Sequence, residues 1–216
     1  MTTAEPVEEG TSAPMSRRRV IVLATRNPHK LEELRRILAP VAGDVEVADL
    51  GSFPDAPEVA ETGTTFEANA ALKAQAISEF TKLPAVADDS GICVDVMAGM
   101  PGVLSARWAG RHGDDGANLH LLLDQLADIP DGSRGAWFEC AAVLALPNGR
   151  TQSAVGRMDG WLTREPRGTG GFGYDPIFVP NGKTVTTAEM SSAAKDAISH
   201  RGIAFRRLAP LIAALV

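Results

Sequence analysis

Residues 18–38 read Arg-Arg-Val-Ile-Val-Leu-Ala-Thr-Arg-Asn-Pro-His-Lys-Leu-Glu-Glu-Leu-Arg-Arg-Ile-Leu, and the class of fold is read from them. Residues 20–24 are an unbroken β-branched and aliphatic run, the pattern of a strand buried on both faces. The polar turn 25–30 follows. Leu31, Leu34 and Leu38 then recur at helical spacing, with Glu32, Glu33, Arg35 and Arg36 on the other side. Strand, polar turn and helix in this order belong to the α/β class. The exposed N–H groups at such a helix N-terminus can receive an anion, and Asn27 and Lys30 add a donor and a positive charge. The plainer alternative is a capped strand-to-helix turn.

Working outward, Thr64-Thr65-Phe66-Glu67 has the Thr-x-x-Glu pattern of a capping box and opens a second helix through Asn69, Lys73 and Ile77. Glu61 stands just before it. Residues 83–87 form a short apolar strand ending in Asp88-Asp89-Ser90-Gly91, after which 92–96 reads as another strand. Carboxylates at the end of a buried strand lie where open α/β sheets place ligands. On an extended chain the two aspartates face different directions, so one can bind metal while the other orients backbone or solvent; a simple Asp-Asp-Ser-Gly turn is the alternative. A third helix covers 114–126. Strands at 136–145 and 151–156 are joined by Pro147-Asn148-Gly149-Arg150, whose Asn-Gly is a hairpin signal. A short strand at 177–179 and a mostly helical 188–216 complete the chain. There Ser199 is the expected N-cap that puts His200 and Arg201 in a first turn, and Pro210 is expected to bend or break the helix.

Residues 168–178 carry four glycines and the only tyrosine of the chain, a composition unlike ordinary core. Glycines let a backbone approach a ligand, while Phe172 and Tyr174 offer flat faces on which a nucleobase can stack. The net charge of −6 and the lack of any long basic run argue against tracking of a nucleic-acid backbone, so an anion would bind in a local pocket. Cys93 and Cys140 lack Cys-x-x-Cys spacing and read as buried thiols. No apolar run approaches the roughly 18 residues of a membrane span, and a cytoplasmic location without membrane partners is expected. Residues 1–17, rich in Thr, Glu, Pro and Ser at their start, are expected to be a disordered tail, with Met15 an alternative start, ahead of one domain at 18–216.

Taken together, Thr25-x-Asn27-x-x-Lys30, Glu61-Thr62-Gly63, Ala87-Asp88-Asp89-Ser90-Gly91, Pro101-Gly102-x-x-Ser105-Ala106-Arg107, Gly170-Gly171-Phe172-Gly173-Tyr174-Asp175-Pro176 and Ser199-His200-Arg201-Gly202 resemble the inosine triphosphate pyrophosphatase family in order and over about residues 19–214. The resemblance implies an elongated α/β fold, a mixed twisted sheet with flanking helices in two lobes around a nucleotide-binding cleft, assembled as a homodimer. It implies magnesium-dependent (Mg2+) cleavage of non-standard purine nucleoside triphosphates such as ITP, dITP and XTP between the α and β phosphates. By the same resemblance Thr25, Arg26, Asn27, Pro28, His29 and Lys30 bind the triphosphate, Glu61 and Asp89 hold the metal, and Asp89 accepts the proton of the attacking water. Ser90 supports the phosphate side, and Phe172, Gly173, Tyr174, Asp175, Lys195, His200 and Arg201 surround nucleotide and base. Arg26 departs from the family pattern, which often has glycine there. The alternatives are a Maf-type nucleotide pyrophosphatase of similar architecture and a nucleotide-sensing module without catalysis.

Overall fold

In the computed structural model, which describes residues 19–40 and 45–215, six strands make one mixed sheet: β1 (Val20–Leu23), β2 (Glu46–Asp49), β3 (Ala85–Val94), β4 (Gly135–Ala145), β5 (Thr151–Leu162) and β6 (Phe178–Pro180). Their order is β2-β1-β3-β4-β5-β6. β1 runs parallel to both β2 and β3, whereas β3 to β6 are antiparallel neighbours. The expected tail lies outside the described residues.

Among the described residues five α-helices flank the sheet: α1 (Pro28–Leu38), α2 (Phe66–Thr81), α3 (Asp115–Gln125), α4 (Ser192–Ile198) and α5 (His200–Leu215). Alternation along β3 and β4 divides their side chains between two faces. On one face Val86, Cys140 and Leu144 pack with Leu34 and Leu38 of α1 and Phe205 and Leu208 of α5. On the other, Ala85, Ala87 and Val143 pack under Ala70, Ala74 and Ile77 of α2. Further along β3, Ile92 and Val94 join a separate core with Leu122 of α3, Phe138 and Phe178. The long strands β3 and β4 thus pass through two lobes, and Asp88 to Gly91 lie at the boundary between them.

That boundary is where the sheet opens. Pairing of β1 with β3 reaches Leu23↔Val86, with Ala24 N–H donating to the Val86 carbonyl at 2.8 Å. Four residues beyond Asp88, Ser105 Oγ takes over this edge by accepting from Ile92 N–H at 3.0 Å. Between these points a cleft of about 420 Å³ lies beyond the carboxyl end of β1, the usual ligand position in open α/β sheets.

The expectation of two separate strands on either side of Asp88-Asp89-Ser90-Gly91, and the alternative of a turn there, are corrected. β3 is continuous and pairs with β4 from Ala85↔Ala145 to Val94↔Ala136. Gly91 serves close approach rather than a turn, since a Cβ there would sit 2.3 Å from Ser105 Oγ and 2.5 Å from the Gly102 carbonyl. The capping box at 64–67 is corrected too. Thr65 is the N-cap, its Oγ1 accepting from Ala68 N–H at 3.1 Å, and Glu67 instead accepts from Ser153 Oγ at 2.5 Å. The hairpin strand extends to Leu162, beyond the expected 156, and α5 runs through Pro210. Ser199 caps as expected, accepting from Gly202 N–H at 2.9 Å.

Candidate active site

At the first wall of the cleft the turn before α1 is built by side chains that satisfy helix-start donors. Asn27 Oδ1 accepts from the N–H groups of His29 (2.9 Å) and Lys30 (3.2 Å), Thr25 Oγ1 accepts from Asn27 N–H (3.2 Å), and Pro28 occupies the first turn, where it lacks no needed donor. Lys30 Nζ thereby comes within 3.2 Å of Asp88 Oδ2. Arg26 is exposed, but its Nη2 donates to the Ala56 carbonyl at 2.7 Å and ties the turn to the segment leading to Glu61.

The two aspartates point to opposite faces of β3 and meet different partners. Asp88 is buried on the α1–α5 side, where its Oδ2 also accepts from Arg201 Nε at 3.2 Å. Arg201 is itself enclosed, donating through Nη1 to Glu33 Oε2 and through Nη2 to Ser90 Oγ at 2.7 Å. Burial alone would push the Asp88 carboxyl up, but the charges of Lys30, Arg201 and Lys73 together hold it well below the usual range. Asp88 Oδ1 and Glu33 Oε1 are buried without a hydrogen-bond partner among the described residues.

Asp89 faces α2. Its Oδ2 accepts from Asn69 Nδ2 at 3.1 Å, and its Oδ1 lies 3.5 Å from Lys73 Nζ. The same ammonium donates to Glu61 Oε1 at 2.8 Å, and Arg107 Nη1 to Glu61 Oε2 at 3.2 Å. Burial raises the Asp89 carboxyl above its ordinary value despite Lys73 and Lys30. Glu61 goes the other way: burial would raise it, but Lys73 and its hydrogen bond outweigh that and hold it low. The site therefore sets two firmly ionised carboxylates, Asp88 and Glu61, beside Asp89, whose affinity for a proton is enhanced.

The third wall is the glycine-rich loop. Gly171 has φ +71°, and a Cβ there would fall 2.1 Å from Asp175 Oδ2. That oxygen accepts from Phe172 N–H at 2.9 Å and from Lys195 Nζ at 2.5 Å, while Thr187 Oγ1 donates to Asp175 Oδ1 at 2.8 Å. Lys195 Nζ and Arg201 Cζ stand 5.1 and 5.6 Å from the centre of the Phe172 ring. Tyr174 differs from its expected role as an open stacking face. It is 5 % exposed, packs in the α3 lobe and donates its hydroxyl to the Ser105 carbonyl at 2.8 Å, because a phenol in a core needs an acceptor. His200 is buried and stacked on Phe138 at 4.8 Å, and burial, then the charges of Arg201 and Lys195, lower its pKa well below the usual value.

Of the residues expected at the site, all but Pro28 and His29 line this one cleft. The structure adds Asp88, Lys73 and Arg107. Lys73 had a signal: Asn69 and Lys73, spaced i, i+4, put polar groups on the same side of α2 as the buried Ala70, Ala74 and Ile77, where burial without a partner would be costly. Arg107 had none beyond its motif. Glu61 and Asp89, already bridged by one ammonium, form a hard-oxygen pair of the kind magnesium uses together with phosphates and water.

Residues 21–211 match the Ham1 family. The chain is 57% identical over 196 residues to a dITP/XTP pyrophosphatase of Streptomyces coelicolor, covering 91% of this chain and 98% of the relative. Among solved structures it resembles a nucleoside-triphosphatase, dITP/XTP pyrophosphatase, from Mycobacterium abscessus, with TM-score 0.71, 53% identity and coverage of 89% and 98%. It also resembles the Ham1 protein of Staphylococcus aureus, with TM-score 0.80, 34% identity and coverage of 91% and 99%.

Proposed function

The chain belongs to the Ham1 family, and on that premise we propose that it hydrolyses non-standard purine nucleoside triphosphates (dITP, XTP and ITP) to the monophosphate and pyrophosphate. The observation that carries this reading is the division of labour across β3. Asp88 is neutralised by Lys30, which borders the cleft, and by the enclosed Arg201, while Asp89 on the opposite face has a raised pKa suited to accepting a proton.

In this reading the triphosphate lies along Thr25, Asn27, Lys30 and Ser90. A water oxygen attacks phosphorus, the bridging bond between the α and β phosphates breaks, pyrophosphate leaves, and the water's proton passes to Asp89. Glu61 and Asp89 would hold magnesium, which when bound supplies charge neutralisation to the phosphates. Lys73 and Arg107 keep Glu61 ionised and oriented. At the other end Phe172 gives a stacking face, and a donor such as Lys195 would favour a 6-oxo purine over adenine, whose amino group would oppose it. The setting implied is a cytoplasmic nucleotide pool, with the enzyme acting as a homodimer. No helix among the described residues is long and apolar enough to cross a membrane.

The test is purified protein with magnesium and, separately, ITP, dITP, XTP, GTP and ATP, followed by separation of nucleotides and pyrophosphate assay. Formation of IMP and pyrophosphate from ITP, with ATP much slower, is expected. Release of orthophosphate and IDP would overturn the reading. Lys195→Ala should narrow the ratio of kcat/KM for ITP over ATP by roughly ten- to a hundredfold, whereas Lys30→Ala should lower both alike.

A further inference from the structure

We infer that His29 is a positioning residue for the nucleobase, acting through Phe172, rather than a triphosphate ligand; the inference rests on the nucleotide reading above. His29 belongs in sequence to the phosphate turn, directly before Lys30. In space its backbone N–H is engaged by Asn27 Oδ1, and its side chain turns away from the main cleft. It lines instead a second recess of about 150 Å³, together with Glu32 and Arg36 of α1 and Met190. Phe172 and Lys195 border both hollows.

The imidazole and the Phe172 ring are stacked, centroids 5.7 Å apart with 15° between planes. Since His29 lines only the recess and Phe172 borders both spaces, Phe172 is the partition and His29 is its backing on the recess side. Such backing matters because of how Phe172 is carried. The loop around it includes Gly171 at φ +71° and Gly173 at φ +59°, and its hydrogen bond to Asp175 fixes the backbone, not the rotation of the ring. A purine entering the cleft stacks on the cleft side of the ring, where Arg201 also stands, and extends the column to imidazole, phenyl and purine. The gain from such aromatic pairs corresponds to roughly a two- to tenfold change in affinity. It is insensitive to the 6-substituent, because every purine has the same flat face. Reaction at the phosphates, served by Asp89 and Glu61 on the other face of β3, should not feel it.

The experiment compares wild type, His29→Ala and His29→Phe for kcat and KM with ITP and ATP, for the Kd of IMP by calorimetry, and for inhibition by pyrophosphate. His29→Ala should raise both KM values and the IMP Kd about two- to tenfold, leave kcat within about twofold, and leave pyrophosphate inhibition and the ITP to ATP preference unchanged. His29→Phe, which restores a flat ring without nitrogen, should recover IMP affinity. Unchanged IMP affinity in His29→Ala, no rescue by His29→Phe, or a loss confined to pyrophosphate inhibition would each overturn the inference. A wild type that binds IMP yet forms none from ITP would instead sink the functional reading and leave the IMP comparison to judge His29.

Discussion

Neighbouring aspartates with the same side chain should respond oppositely to the same substitution. In the proposed mechanism Asp89→Asn removes a proton acceptor and a ligand charge, so kcat should fall by roughly a hundredfold or more while the thermal midpoint holds; near-normal turnover by the folded variant would remove Asp89 from the mechanism. Because burial raises the Asp89 pKa and the ionised form is the one that acts, kcat/KM should rise with pH along a limb lying above the ordinary carboxylate range of about 4. Asp88→Asn should act mainly on folding. It leaves Lys30 without its partner and Arg201 with fewer, at a cost on the order of 3 kcal/mol, read as a fall in the urea midpoint. The native pKa of Asp88 is depressed, so its stabilisation is complete above about pH 4 and fades as pH falls below that value. Wild type and Asp88→Asn should therefore converge in acid, and a constant gap would show that the loss is not electrostatic. The residue types at 88 and 89 were visible in the chain. Their unlike environments were not, because the Glu33–Arg201–Asp88 network joins positions 168 and 113 residues apart, and no local spacing encodes it.

Elements whose evidence is local were the readable ones. The run 20–24, its capped turn and α1 lie within one stretch, and hydrophobic spacing with Asn27 and Pro28 suffices to define them. β3 was misdivided because Asp, Ser and Gly report turns by composition, whereas here they are polar on account of the cleft and small on account of Ser105. β2, four residues with no fully buried side chain, left no pattern to read. The N-terminus of α5 carries a test at this scale. His200 is buried there against Phe138, near Arg201, Lys195 and the positive end of the helix, all of which disfavour its protonation; Asp88 opposes them weakly. With its native pKa below the unfolded value of about 6.5, stability should be flat above that pH and decline below it. His200→Gln should shrink the loss of thermal midpoint between pH 7 and pH 5. An identical loss in both proteins would mean that other groups set the acid sensitivity.

For the whole molecule, one half of the sheet has a helix on each face, with α2 packed on β4 from Ala141 to Ala145. On the same face of β5, Val155, paired with Ala141, and Trp161 farther along are exposed, with Arg157 lying 4.2 Å from the Trp137 ring centre. If the proposed homodimer forms through this face, Trp161→Glu should leave the protein monomeric in sedimentation velocity; a dimer unaffected by the change would place the interface elsewhere. The unbroken course of β3 has a separate consequence. One peptide unit, about 3.3 Å of rise, separates the carboxylate that anchors Lys30 and Arg201 from the proposed proton acceptor, and the pairs Asp88↔Ala142 and Asp89↔Ala141 lock that interval. The strand works as a ruler fixed at both ends, so any widening or narrowing of the cleft carries both marks together. A nucleotide seated off by a fraction of an ångström at its base is then misaligned for charge and for proton transfer at once, and selectivity can be exerted far from the bond that breaks without retuning the chemistry there.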